Sequence, residues 1–176
     1  MDANTTVDAL RHAAPLELLD YIVRGPHERL PEQVMTLEGL LRLPRSSDDA
    51  PVLAVLERLL GELWRALEPY LLTEERALFP LLQSVLAMRV AGRSGIPSAE
   101  ALSTGPLETV RQSHVRLWEG LEALSDLLTH WPRDSESQAL SASLSPVRTA
   151  LVSFCAELRS FLRVEAELLL PALTRS

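Results

Sequence analysis

Apolar residues recur along this chain at steps of three and four, and they do so in four separate stretches. The first seam runs Val23, His27, Leu30, Val34, Leu37, Leu41. The second runs Leu56, Leu59, Leu63, Ala66, Tyr70, Glu74, Ala77, Leu81. The third runs Leu107, Val110, His114, Leu117, Leu121, Leu124, Leu128, and the fourth Val147, Leu151, Phe154, Leu158, Phe161, Glu165, Leu168. A helix turns once in about 3.6 residues, so these steps draw a stripe down one helical face, whereas a strand would need steps of two. Four such stripes are hidden most simply by turning them toward a common axis. Steps alternating between three and four are also the spacing of knobs-into-holes packing. The expected fold is all-α, an antiparallel up-down-up-down four-helix bundle with helices near residues 16–42, 52–86, 107–130 and 146–174.

The breaks between seams read as connections: "LPRSSDDAP" at 43–51, "AGRSGIPSAEALSTGP" at 91–106 and "HWPRDSESQ" at 130–138. Pro15, Pro51 and Pro106 suit first helical turns, where a missing N–H is harmless. Gly25-Pro26 should bend or split the first helix, Pro69 should kink the second, and the fourth should start or kink at Pro146. Residues 1–14 are expected to be a disordered N-terminus, with one bundle domain over 15–176. Within it, residues 15–88 and 106–174 each carry a His helix followed by a Glu helix, an internal pseudo-two-fold repeat.

Composition narrows the function classes. The net charge of −7, with no basic stripe interleaved with aromatics, speaks against a nucleic-acid partner. No apolar run reaches membrane-spanning length, and the N-terminus lacks the basic-then-apolar order of a secretory signal. The lone Cys155 fits a reducing compartment, so a cytoplasmic protein without a membrane partner is expected.

Each seam is interrupted by one strongly polar residue: His27, Glu74, His114 and Glu165. In an up-down-up-down bundle their heights differ by roughly 9 Å at most, at about 1.5 Å rise per residue. They can therefore meet in one layer. A buried carboxylate without a partner costs several kcal/mol or takes up a proton. A metal relieves this cost, since carboxylates and imidazoles on facing helices are how bundle cores hold metal ions. Iron, zinc and manganese all suit such a donor set. The metal-free counterpart is a pair of His–Glu bridges across the core. Asp20, Glu75, His12, His130 and Glu157 read as solvated, and Cys155 as a small core residue.

Two stretches repeat one oddity, "YLLTEERALFP" at 70–80 and "FLRVEAELLLP" at 161–171: an aromatic, a Glu four residues later, and a Pro six residues after that. With "YIVRGPHERLPEQVMTLEGLL" and "GPLETVRQSH", they resemble the hemerythrin-like (HHE) domain proteins, particularly the di-iron proteins for repair of iron centres. The resemblance covers roughly residues 16–174. It implies a di-iron site with Glu74 and Glu165 as bridging carboxylates and His27 and His114 as terminal ligands. The family has a His four residues before each bridging Glu; this chain has Tyr70 and Phe161 there. Phe161 cannot ligate, whereas Tyr70 can as a phenolate. Trp118 stands where the repair proteins carry a Gly, so Trp118 and Phe161 are expected to line the pocket. The implied function is a non-haem metal protein with a ligand-depleted site, handling O2, NO or peroxide, or catalysing the oxidation of a small molecule. Two alternatives stand beside it: a degenerate, metal-free bundle acting as a binding or regulatory module, and a mononuclear site such as zinc.

Overall fold

The computed structural model describes residues 3–43, 49–92, 106–131 and 138–174. Among them the chain is all-helical, with no strand. The elements are α1 (Ala3–Leu10), α2 (Pro15–Val23), α3 (Pro26–Leu41), α4 (Ala50–Thr73), α5 (Phe79–Val90), α6 (Pro106–Thr129), α7 (Gln138–Val164) and α8 (Leu170–Thr174). Two five-residue π-helical turns interrupt the helical run, π1 (Glu74–Leu78) between α4 and α5, and π2 (Glu165–Leu169) between α7 and α8. The connections expected at 43–51, 91–106 and 130–138 lie mostly outside the described residues.

Helix α3 packs on α4 and α7, and α6 packs on α4 and α7, so these four close around one core. The predicted stripes are for the most part the faces they hide, but Val23 is exposed, and in α4 Leu60 and Leu67 are buried whereas the expected Leu59 and Ala66 are only half-buried. Leu30, Leu37, Leu56, Leu107, Leu117, Leu121, Leu151, Phe154 and Leu158 are all fully buried. At about 25 cal/mol per Å² of apolar area removed from water, this burial is the main force holding the helices together.

Two boundaries differ from the sequence expectation, and the expected split of the first helix is present. Residues 3–10, which lie in the segment expected to be disordered, form α1, and Thr6 and Val7 are buried where it packs along α7 and π2. The first helix is split at Arg24-Gly25. A Cβ on Gly25 would lie 2.6 Å from the Tyr21 carbonyl oxygen, so this close approach requires glycine. Finally, α7 begins at Gln138 and runs through Pro146 rather than starting there.

The π turns explain another mismatch. After Glu74 the expected inward residues Ala77 and Leu81 are only half-buried, while Leu78 and Leu82 are fully buried. After Glu165 the expected Leu168 is half-buried and Leu169 is fully buried. A π turn holds one more residue than an α turn, so each seam slips by one position beyond the glutamate. The prolines give a physical cause. Pro80 and Pro171 each lack an N–H, and each ring crowds the carbonyl four residues back, Arg76 and Glu167, which lie inside the two π turns. The i to i+5 bonds from the Phe79 N–H to the Glu74 carbonyl and from the Leu170 N–H to the Glu165 carbonyl close the widened turns.

Candidate functional site

Glu74 and Glu165 open the two π turns, and both are fully buried. A wide turn swings its first side chain off the α register. Here both glutamates reach the middle of the core, each carrying one oxygen, Oε1, that no N–H or hydroxyl among the described residues reaches. The remaining oxygens are engaged. Glu74 Oε2 lies 3.0 Å from His27 Nε2, and the Tyr70 hydroxyl donates to Glu165 Oε2 at 2.5 Å.

His27 sits in the first turn of α3, where the Gly25 break starts the helix. Its Nδ1 lies 2.9 Å from Glu75 Oε1. The half-exposed Glu75 carboxylate accepts the Nδ1–H, which leaves a lone pair on Nε2 directed at Glu74. A carboxylate fixing the tautomer of a buried imidazole is the usual support for a histidine whose other nitrogen must act as a donor atom. Glu75, read from sequence as solvated, is indeed half-exposed, yet it reaches inward to hold the buried imidazole. The adjacency of two glutamates at the start of π1 was the available signal, since successive residues on a widened turn can face one imidazole.

Burial sets the protonation of the layer. It raises Glu74 well above the ordinary carboxylate range, with the Glu165 charge adding to the effect. It pushes Glu165 up to about 7. Tyr70 is raised by burial and by the two glutamates, so it remains a phenol that donates. Burial lowers His27, and Glu75 only partly offsets this, so the imidazole is neutral near pH 7. The short Tyr70–Glu165 bond, a neutral His27 accepting from a protonated Glu74, and two facing carboxyls form one consistent network. The glutamate pair requires a positive charge, and either a proton or a cation supplies it.

His114 departs from the sequence expectation. It is buried on α6, but its Nε2–H donates to the Leu162 carbonyl at 3.0 Å and not to Glu165. The expected pair of His–Glu bridges is therefore half formed: His27 meets Glu74, while Tyr70 takes the place of His114 at Glu165. Burial also lowers His114. Its ring lies 6.4 Å from that of Tyr70 and 6.4 Å from that of Trp118. Phe161 is fully buried between His27 and Tyr70, at 5.6 and 6.1 Å. Half-buried Trp118 borders His114.

The other titratable groups stand apart. Asp20 pairs with Arg24 and Glu157 with Arg29, His12 is exposed, and His130 is bound to the Asp126 carbonyl. Burial pushes the Cys155 thiol up to about 12, which makes it unreactive. Among the described residues no three His, Cys, Asp or Glu side chains form a ready-made metal cage. No described helix is long and apolar enough to cross a membrane. Comparison with protein-family models, curated proteins and solved structures found no match for the chain.

Proposed function

We propose that this chain is a hemerythrin-like protein, an antiparallel up-down-up-down four-helix bundle with an internal pseudo-two-fold repeat, whose buried layer binds a transition metal, iron foremost. The closed ring of packing among α3, α4, α6 and α7 and the twin π turns support the architecture. The observation that carries the metal reading is the pair of fully buried glutamates, each with an oxygen that lacks a donor. Imidazole nitrogen with carboxylate and phenolate oxygen is a donor set that iron accepts. Glu74 and Glu165 would hold the metal through those oxygens, His27 through Nε2, and Tyr70 through its hydroxyl oxygen. His114 stands outside this set, because its Nε2 is committed to the Leu162 carbonyl. Such a metal supplies redox and Lewis-acid chemistry toward O2, NO or peroxide, or toward oxidation of a small molecule.

The chain's own residues do the rest. Glu75 holds the His27 tautomer, and Phe161 and Phe79 wall the imidazole with apolar surface. Binding displaces the protons that the two glutamates and Tyr70 hold, so affinity should rise with pH. The lone, buried Cys155 suits action in the reducing cytoplasm.

A second reading has its own observation. The Tyr70–Glu165 and His27–Glu74 bonds already complete a hydrogen-bonded network that is neutral once both glutamates are protonated, and a metal-free bundle serving as a binding or regulatory module would keep it. Tyr70→Phe separates the two. Anaerobic iron loading followed by air oxidation should give the wild type a visible phenolate-to-ferric absorption that the variant lacks. A colourless wild type would remove Tyr70 from the ligand set.

A further inference from the structure

Outside the buried layer, a cleft of about 290 Å³ opens between α6 and the π2–α8 segment, lined by Arg111, His114, Ala166, Leu170 and Pro171. Its walls combine two chemistries. Ala166, Leu170 and Pro171 give an apolar floor, and Arg111 and His114 stand one helical turn apart on α6. Arg111 is exposed and makes no hydrogen bond or ion pair with any described residue, in a chain whose net charge is −7. Arg24, Arg29, Arg42 and Arg58, also exposed, each pair with a carboxylate, whereas Arg111 is left to face the cleft. A guanidinium beside an apolar wall is suited to a carboxylate held two-pronged, with the ligand body against the wall. The volume lies at the small end of ligand sites.

The cleft also touches the buried layer. Ala166 directly follows Glu165 on π2, and the His114 Nε2–H bond to the Leu162 carbonyl fixes α6 one turn before that glutamate. The π turn itself is the partition between the cleft and the carboxyl pair.

We propose that this cleft docks a small carboxylate with an apolar body, anchored by Arg111, as the substrate-binding face of the site. The role as a substrate face rests on the metal reading; the docking itself does not, and is tested on metal-free protein. Benzoate is titrated into the isotopically labelled, chelator-treated full chain, and the Ala166 amide and the His114 ring are followed by NMR. Saturable shifts in the millimolar range are expected at both. Arg111→Ala should weaken binding at least tenfold, as loss of a charge-assisted anchor does. Benzyl alcohol, of the same shape without the charge, should bind at least tenfold more weakly than benzoate. Absence of saturation, equal binding of the two probes, or unchanged binding by Arg111→Ala would each overturn the proposal. Metal content, measured separately, leaves these outcomes unaffected.

Discussion

Glu165→Gln should make the metal-free protein more stable at pH 8 while leaving it little changed at pH 5. The folded chain holds the Glu165 proton up to about pH 7, against an ordinary value of 4.5. That difference corresponds to about 3 kcal/mol of preference for the neutral carboxyl. The folded state therefore binds a proton that the unfolded chain releases. The stabilisation is complete below about pH 4.5 and is lost as pH rises through 7. Glutamine keeps an acceptor for Tyr70 but carries no charge, so the variant escapes the loss. His27 and His114 act in the opposite sense. Burial lowers both, so their contribution is present above the ordinary 6.5 and is lost as pH falls. Because both histidines remain in the variant, they cancel in the difference. Urea unfolding of chelator-treated wild type and Glu165→Gln, followed by tryptophan fluorescence at pH 5, 6, 7 and 8, measures it. The stability difference should move in favour of the variant by about 2–3 kcal/mol between pH 5 and pH 8. A difference that stays flat across this range would refute the claim that Glu165 is buried without a fixed cation.

Two further outcomes follow from the same contacts. Gly25→Ala should destabilise the chain by about 1–3 kcal/mol in urea unfolding, because its Cβ would press on the Tyr21 carbonyl at the break that positions His27. A neutral result would mean that the break does not depend on the missing side chain. Phe161→His should lower metal-free stability by about 1–3 kcal/mol by burying a polar ring among apolar neighbours, yet raise iron affinity by adding a donor four residues before Glu165. Equilibrium dialysis against ferrous iron checks the second half, and an unchanged or weakened affinity would contradict it.

The helical class was legible because burial follows the 3.6-residue period wherever the backbone keeps it, as from Leu30 to Leu41 and from Leu107 to Leu124. It became illegible where the backbone leaves that period. Nothing in a stripe of threes and fours announces a π turn, so Ala77, Leu81 and Leu168 were assigned inward and Leu78, Leu82 and Leu169 were missed. The repeated Glu-to-Pro spacing of six was the trace of the turn, visible in sequence but interpretable only once the Pro80 and Pro171 rings are seen to sit just beyond it. Of the polar layer, His27, Glu74, Glu165 and Tyr70 converge through direct bonds. His114 stays one bond away because a nearby carbonyl competes for its N–H, and Glu75 joins because an exposed carboxylate can reach inward to a buried ring. Side-chain choices of this kind depend on tertiary neighbours, which spacing along one helix does not encode. The α1 helix was missed for a related reason: its apolar contact, Val7, becomes worth burying only against α7.

The central claim is that the buried glutamate pair takes a metal cation in place of protons. Its most direct test is the metal content, by inductively coupled plasma mass spectrometry, of the full chain purified without added metal and again after anaerobic iron loading and desalting. The wild type should retain at least one iron per chain after loading, and Glu74→Ala, which removes a donor from the centre of the layer, should retain almost none. Metal near zero in the loaded wild type, or equal iron in the wild type and Glu74→Ala, would contradict the account.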